Sequence, residues 1–122
     1  MKILVVEDEP TSLKLATLVL TTEGHEVSQS TNATDAIRKI VEKNPEMILL
    51  DLRLPGVDGL QLARQLKNDR RTQDISIVAV TAYPLQFSID DAFQAGCDGY
   101  IVKPIDTRKL SSELESVSRK SE

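Results

Sequence analysis

Short apolar runs rich in β-branched residues alternate with segments of helical periodicity along almost the whole chain. The strongest runs cover residues 3–6, 47–50 and 75–80, and weaker ones cover residues 26–28 and 100–102. Runs that are apolar at nearly every position are typical of strands buried on both faces of a parallel sheet. The more polar run at residues 26–28 is typical of a strand at the edge of a sheet.

Between and after these runs lie segments whose apolar residues are spaced three or four positions apart, as on one face of a helix. Asn32 and Asp106 are predicted N-caps, Pro10 suits a first helical turn, and Gly24 suits the position just after a helix. The apolar positions of the five predicted helices are Leu13, Ala16 and Leu20; Ala33, Ala36, Ile37, Ile40 and Val41; Leu60, Ala63 and Leu66; Ile89, Ala92 and Phe93; Leu110, Leu114 and Val117.

This alternation predicts an α/β fold of five strand–helix units, (βα)5, built on a doubly wound parallel sheet. Parallel neighbours need right-handed crossovers, which place helices on both faces of the sheet. A chain of 122 residues has the length of one such domain. We therefore expect a single domain over residues 1–122, with residues 119–122 as a short tail and no output domain.

Composition narrows the classes of function. The net charge of −4 and the aromatic content of 3% argue against direct binding of nucleic acid. A lone Cys97, predicted as a small core filler, excludes an internal disulfide framework and a zinc site built from several cysteines. The first apolar run is too short for a signal peptide, and acids follow it at once. These features predict a cytoplasmic protein without membrane insertion, and His25 is expected at the solvent edge.

Side chains that could act together in one site follow four of the predicted strands. Glu7 and Asp8 follow the first, Asp51 the third, Thr81 the fourth and Lys103 the fifth. The carboxyl ends of parallel strands meet at one edge of the sheet, where α/β proteins bind their ligands. Two carboxylates about 4 Å apart repel by roughly 4 kcal/mol at an effective dielectric near 20, so three of them need a cation. Hard carboxylate oxygens suit Mg²⁺, and Mn²⁺ as a substitute.

A metal-binding carboxylate cluster, an ammonium group and a hydroxyl together describe a site for phosphoryl transfer. Asp51 is the predicted nucleophile because it ends the central apolar run, whereas Glu7 and Asp8 are better placed to hold metal. Each residue alone has a simpler interpretation: Asp8 as a helix N-terminal acid, Asp51 as a turn initiator, Thr81 as a strand end and Lys103 as a solvated cation. Their coincidence at four strand ends favours the site.

The sequence resembles the receiver domains of two-component response regulators over almost its whole length. The resemblance rests on ILVVEDEP at residues 3–10, LLDLRLPGVDG at 49–59, VTA at 80–82 and GCDGYIVKP at 96–104. It implies a flavodoxin-like sheet with strand order 2-1-3-4-5. It also implies that Asp51 accepts a phosphoryl group from a phosphohistidine on a sensor histidine kinase or a histidine phosphotransfer protein.

The resemblance assigns roles to the other site residues as well. Glu7, Asp8, Asp51 and the backbone carbonyl of Arg53 would hold Mg²⁺, and Lys103 would pair with a phosphoryl oxygen. As the switch residues, Thr81 would follow the phosphate and Tyr100 would rotate inward behind it. These movements would reshape the face formed by the fourth helix, the fifth strand and the fifth helix, for binding a downstream protein. The Lys103–Pro104 peptide bond is a candidate cis peptide.

Two departures from the family pattern are visible. Ile105 stands where phenylalanine is frequent, and the segment at residues 84–87 is more apolar than the polar turn usual before the fourth helix. One interpretation is ordinary packing at the helix entry. The other is a partner-binding surface that includes Tyr83, Phe87, Tyr100 and Ile105. Arg53 and Tyr83 are also expected to flank the path of water to a phosphorylated aspartate.

Two alternative functions remain open at this point. The first is an interaction module of the same fold that is never phosphorylated, although every phosphotransfer position is intact. The second is a phosphohydrolase that forms an aspartyl phosphate, which would need a second acid two residues after the nucleophile. Arg53 occupies that position. We therefore expect a signalling protein rather than an enzyme acting on other substrates.

Overall fold

The computed structural model describes residues 1–120, with side chains through residue 118. Its main sheet has five parallel strands in the order β2-β1-β3-β4-β5. The strands are β1 (Lys2–Val6), β2 (Glu26–Ser30), β3 (Met47–Asp51), β4 (Ser76–Thr81) and β5 (Gly99–Val102). This arrangement confirms the predicted fold class and the strand order 2-1-3-4-5.

Five helices connect and follow the strands: α1 (Pro10–Thr22), α2 (Ala33–Lys43), α3 (Gly59–Lys67), α4 (Ile89–Gln94) and α5 (Leu110–Lys120). The side chain of Asn32 caps α2 by accepting the backbone N–H of Asp35 at 2.8 Å. Pro10 stands in the first turn of α1, and Gly24 follows that helix with a φ of 92°. Both positions therefore have the predicted roles.

The two faces of the sheet bury separate sets of side chains. Alternate strand residues such as Leu4, Leu50 and Ile77 pack toward α2, α3 and α4. Their neighbours, such as Val5 and Leu49, pack toward α1 and α5. All five residues of β3 are buried, and each large aliphatic side chain contributes roughly 1.5–3 kcal/mol through burial. The central strand is therefore the most firmly held support for any residue at its end.

Local details differ from the sequence predictions. Asp106 caps the turn that leads into α5, since its carboxylate accepts the N–H of Arg108 at 3.0 Å and its carbonyl oxygen accepts the N–H of Leu110 at 3.0 Å, but the regular helix starts only at Leu110. His25 is only 9% exposed, and its ring nitrogens lie 3.0 Å from the Met1 amine and 2.9 Å from Ser111 Oγ, so the expected solvent-edge position is wrong. The prediction also omitted a short antiparallel hairpin, Arg53–Leu54 with Val57–Asp58.

The predicted tail is partly helical. Residues 119 and 120 continue the backbone of α5, and Ser121 and Glu122 lie outside the described residues. Among residues 1–120, no helix combines the length and the apolar character needed to cross a membrane. Cys97 is buried, as its predicted role in the core requires.

Candidate functional site

The carboxyl ends of four strands bring the predicted site residues together. Asp51 ends β3 and pairs in register with Val80 of β4, and Thr81 pairs with Val102 of β5. Glu7 and Asp8 follow β1 directly, and Lys103 follows β5. Because neighbouring strands end at nearly the same level, side chains that are far apart in the chain converge at one edge.

A cluster of three carboxylates forms the centre of the site. Glu7, Asp8 and Asp51 each offer an oxygen, and these oxygens all lie within 4.8 Å of one another. Glu7 and Asp51 are buried, whereas Asp8 is exposed to the cleft. Oxygen donors at this spacing, with one side open to water, fit a hard divalent cation that keeps part of its hydration shell. The residues present therefore suit Mg²⁺.

Lys103 balances part of this negative charge. Its Nζ donates to Glu7 Oε1 in a short contact and lies 3.3 Å from Asp51 Oδ2. Burial opposes a charge on the lysine, but the hydrogen bond to Glu7 and the charges of Asp51 and Glu7 outweigh burial and raise the Lys103 pKa. The ammonium group therefore stays charged beside Asp51, where it can meet an anionic oxygen.

Glu7 has an unusual affinity for protons. Burial, followed by a hydrogen bond shared with Asp51 and the charge of Asp51, raises the pKa of Glu7 to about 7, and Lys103 only partly opposes this. The negative charge of the carboxylates at this site is therefore more than the single positive charge of Lys103 can neutralise.

The third acid of the Glu7-Asp8-Glu9 run has a different task. Glu9 caps α1, because its carboxylate accepts the N–H of Thr11 at 3.1 Å and that of Ser12 at 2.7 Å. These hydrogen bonds lower the pKa of the exposed Glu9 carboxyl. Of the three consecutive acids, Glu7 and Asp8 therefore belong to the carboxylate cluster, and Glu9 caps α1.

Thr81 and the loop after Asp51 are held by backbone hydrogen bonds. The fully buried Thr81 accepts the N–H of Tyr83 at its hydroxyl oxygen at 2.8 Å, and its carbonyl accepts the N–H of Lys103 at 2.8 Å. Asp51 Oδ1 accepts the N–H of Arg53 at 3.0 Å. The hydroxyl of Thr81 accepts in this contact, which leaves its proton for another acceptor.

Gly59 is a positioning residue that sequence reasoning missed. A Cβ at Gly59 would lie 2.6 Å from the Cα of Leu52 and 2.8 Å from its carbonyl oxygen. The N–H of Gly59 donates to that oxygen at 2.9 Å, which fixes the start of α3 against the segment that carries Asp51. The available signal was the glycine at the first position of a predicted helix, where glycine is otherwise unfavourable.

The expected partner surface needs one correction. Phe87 is only 6% exposed and belongs to the core, so its prediction as a surface residue is wrong. The reason is a tight turn, in which the Phe87 N–H donates to the Tyr83 carbonyl at 2.9 Å and the chain folds back toward the sheet. Ile105 is half-buried against the α1 and α5 side of the core. Tyr83 remains 45% exposed.

Tyr100 already points inward in this structure. It packs against the core, and its hydroxyl donates to the carbonyl oxygen of Phe87 at 2.5 Å. Together with the bond from Phe87 to Tyr83 and that from Tyr83 to Thr81, this forms a continuous hydrogen-bonded path. The path joins Thr81 at the site to Tyr100 on β5.

Arg53 and Tyr83 cover one side of the cleft next to Asp51. The guanidinium carbon of Arg53 lies 4.4 Å from the centroid of the Tyr83 ring, within the range of a cation–π contact. Both residues line the same cleft as Asp8, Asp51 and Lys103. The Lys103–Pro104 peptide bond, the candidate cis peptide, is cis.

The response regulator receiver domain family matches residues 3–115. The chain belongs to this family. The receiver is 37% identical over 118 residues to the phosphate regulon transcriptional regulatory protein PhoB of Pseudomonas aeruginosa, a match that covers 97% of this chain and 52% of PhoB. It thus spans about half the length of that regulator. It is 32% identical over 114 residues to the polar-differentiation response regulator DivK of Brucella anthropi, with 93% of each chain covered.

Solved structures have the same fold as the receiver. A putative response regulator from Chloroflexus aurantiacus is 27% identical, with a TM-score of 0.87 and 97% of both chains covered. The receiver domain of the sensor histidine kinase PA1611 from Pseudomonas aeruginosa is 29% identical, with a TM-score of 0.86 and 97% of both chains covered. That structure has a magnesium ion coordinated in its active site cleft.

Proposed function

We propose that this receiver accepts a phosphoryl group from a phosphohistidine onto Asp51, with Mg²⁺, as a step in two-component or phosphorelay signalling. The observation that carries the proposal is the placement of Asp51. Its buried carboxylate has the Lys103 ammonium group 3.3 Å away and an oxygen within 4.8 Å of oxygens of Glu7 and Asp8. A carboxylate is a nucleophile when neighbouring groups neutralise the anion that it attacks.

The transfer forms one bond and breaks one. An Asp51 carboxylate oxygen attacks phosphorus, a P–O bond forms, and the P–N bond to the donor imidazole breaks. The imidazole nitrogen leaves with the bonding electron pair and takes up a proton. Lys103 meets negative charge on a phosphoryl oxygen, and the Thr81 hydroxyl can donate its proton to another.

Glu7, Asp8, Asp51 and the backbone carbonyl of Arg53 would hold the metal. When bound, Mg²⁺ supplies a positive charge that offsets the charge of the carboxylates and of the phosphoryl oxygens. The buried position of Glu7 and Asp51 keeps this charge balance away from bulk solvent, where electrostatic interactions are weaker. Mn²⁺ is expected to substitute because it accepts the same oxygen ligands.

Phosphorylation is proposed to act on the face formed by α4, β5 and α5. The hydrogen-bonded path from Thr81 through the turn at Tyr83 and Phe87 to Tyr100 gives this face a physical link to Thr81, which lies at the same edge of the sheet as Asp51. A phosphoryl group that binds one arrangement of this path better than another shifts the population of the two arrangements. The readout would be binding of a downstream protein rather than catalysis on another substrate.

The donor would be a sensor histidine kinase or a histidine phosphotransfer protein. We propose that the receiver meets this donor in the cytoplasm. No direct contact with nucleic acid is proposed, in keeping with the net charge of −4.

A small phosphoryl donor tests the proposal directly. The protein is incubated with acetyl phosphate and Mg²⁺, and its intact mass is measured with and without EDTA. We expect a gain of one phosphoryl group that requires Mg²⁺ and disappears in Asp51→Asn. Peptide mapping of the adduct to a residue other than Asp51, or a complete lack of adduct with kinases and small donors alike, would refute the assignment.

A further inference from the structure

The short antiparallel hairpin between Asp51 and α3 contains little that would hold it in place by itself. It has only two residue pairs, with Arg53 opposite Asp58. Leu54 is buried, but Arg53, Val57 and Asp58 are exposed. A two-stranded hairpin is marginally stable at best when it is isolated in water. The position of this hairpin therefore depends on what holds its two ends.

Backbone hydrogen bonds tie the near end of the hairpin to the site. The Leu52 N–H donates to the Val80 carbonyl oxygen at 3.0 Å, and the Arg53 N–H donates to Asp51 Oδ1 at 3.0 Å. Arg53 lines the same cleft as Asp51. The carbonyl of Arg53, one of the proposed metal ligands, therefore lies in a segment whose first residues are fixed against β3 and β4.

Asp58 holds the far end of the hairpin. Its Oδ1 accepts the N–H of Leu60 at 2.8 Å, which makes Asp58 the N-cap of α3. The N–H of Gly59 donates to the Leu52 carbonyl oxygen at 2.9 Å, and a Cβ on Gly59 would lie 3.0 Å from the carbonyl oxygen of Asp51. The start of α3 thus rests on the backbone that carries Asp51, and the capping bond fixes the residue directly before this contact.

We propose that Asp58 is a positioning residue for the metal site. By capping α3, it holds the hairpin in the place from which the Arg53 carbonyl would reach a metal ion. Asp58 does not belong to the cluster of Glu7, Asp8 and Asp51, so its effect on the metal is indirect. The inference rests on the proposed function, in which the Arg53 carbonyl is one of the ligands of Mg²⁺.

The cap of α2 provides a matched comparison. Asn32 accepts the N–H of Asp35 at 2.8 Å, the same distance as the capping bond of α3. Loss of either cap should destabilise the protein to a similar degree. Asn32 follows β2, however, and the carboxylate cluster contains no residue from the end of that strand. Asn32→Ala therefore shows what the loss of a cap does without disturbing the hairpin.

The test compares Asp58→Ala, Asp58→Ser and Asn32→Ala with the parent protein. Mg²⁺ affinity is measured by isothermal titration calorimetry without any phosphoryl donor. Amide hydrogen exchange at Arg53 and Gly59 is followed by NMR in EDTA, which reports the position of the hairpin in the absence of metal. Urea titrations show that each variant is folded and how much stability it has lost.

We expect Asp58→Ala to bind Mg²⁺ about tenfold more weakly, the lower end of the effect of losing a group that orients a metal ligand. Exchange at Arg53 and Gly59 should become faster in the same variant. Asp58→Ser should restore both properties, because serine caps a helix about as well as aspartate although it carries no charge. Asn32→Ala should lower the urea midpoint by a similar amount and leave both properties unchanged.

Four results would overturn the inference: parental Mg²⁺ affinity in Asp58→Ala, an equal loss of affinity in Asn32→Ala, no rescue by Asp58→Ser, or no binding of Mg²⁺ by the parent. A lack of rescue would show that the charge of Asp58 acts rather than its capping bond. A parent that binds Mg²⁺ but accepts no phosphoryl group at Asp51 would refute the proposed function and leave these comparisons intact, so the two failures are distinguishable.

Discussion

The ammonium nitrogen of Lys103 lies 3.3 Å from Asp51 Oδ2, although the two residues are 52 positions apart in the chain. The same nitrogen also contacts Glu7. One cation thus touches two of the three carboxylates at the edge of the sheet. Its position makes Lys103 both a partner for an incoming anionic oxygen and a competitor of any metal ion for the same carboxylates.

Replacing Lys103 with methionine should therefore have two opposite effects. Mg²⁺ should bind more tightly, by about tenfold, because removing a unit charge a few ångströms away relieves repulsion worth roughly 1–4 kcal/mol. Phosphorylation of Asp51 by acetyl phosphate should become slower, because the phosphoryl oxygens lose their ammonium partner. Isothermal titration calorimetry measures the first effect and intact-mass kinetics the second.

Lys14→Met on the exposed surface of α1 is the control for the loss of one charge. If Lys103→Met weakened Mg²⁺ binding, the proposed competition between lysine and metal would be wrong.

Gly59→Ala should destabilise the fold and disturb the site. The added methyl group would lie 2.6 Å from a backbone atom of Leu52, so the segment that carries Asp51 must shift. We expect a loss of roughly 1–3 kcal/mol in the free energy of unfolding, measured with urea, together with slower phosphorylation.

The matched control is Gly24→Ala. Gly24 has a φ of 92° but open space around it, so alanine there should cost only about 1 kcal/mol and leave phosphorylation unchanged. Equal phosphorylation rates in the two variants would show that contact between Gly59 and Leu52 does not position Asp51.

Tyr83→Ala should shorten the life of a phosphoryl group on Asp51. The ring of Tyr83 and the guanidinium of Arg53 cover one side of the cleft, and losing the ring uncovers it to water. Removing a contact worth about 0.5–1 kcal/mol should make the loss of the phosphoryl group roughly two- to fivefold faster. The rate is measured by intact mass after the donor has been removed.

Tyr83→Phe keeps an aromatic face under Arg53 and serves as the control. Its phosphoryl lifetime should match that of the parent. A lifetime that is shortened equally in the phenylalanine variant would point to the hydroxyl group and away from the cation–π contact.

Cys97 should be unreactive in the folded protein. Burial raises its pKa from 9.0 to about 11, with a further contribution from the charge of Asp98. At pH 8 only about one thiol in a thousand is then ionised, so reaction with a disulfide reagent should be slow until urea unfolds the chain. Rapid modification of the native protein at pH 8 would contradict this prediction.

The same shift gives a sign for the pH dependence of stability. The folded state disfavours the Cys97 thiolate, so its contribution is complete below pH 9 and is lost as the pH rises toward 11. Cys97→Ala should therefore lose less unfolding free energy than the parent between pH 8 and pH 10.5. Urea titrations of both proteins at the two pH values provide the measurement.

Much of the fold and the site could be predicted because the local sequence patterns all indicate the same arrangement of strands and helices. The fully apolar runs indicate buried strands, and parallel strands necessarily bring their carboxyl ends to one edge, which places Asp51 near Glu7 and Lys103. Such an argument needs only the order of residues along the strands. It does not depend on the direction of any single side chain.

Side-chain direction is what the sequence could not provide. Phe87 lies in an apolar loop after a strand, and the composition of this loop suits the surface as well as the core. The hydrogen bond from the Phe87 N–H to the Tyr83 carbonyl turns the chain back toward the sheet and places Phe87 in the core. Glu9 could have joined the carboxylate cluster, but its reach to the start of α1 makes it a cap. A glycine at the start of a helix marks Gly59 as unusual, but its role depends on the path of the Leu52 backbone, which the local sequence does not give.

The complete burial of β3 has a mechanical consequence. A strand held on both faces and by two neighbouring strands is stiff, so a new group at its end displaces the strand very little. Any strain introduced at Asp51 must then relax through a more compliant part of the chain. The segment at residues 82–88 lies between β4 and α4, outside both, and most of its residues are exposed. We therefore expect residues 82–88, rather than β3, to change conformation when a group is added to Asp51.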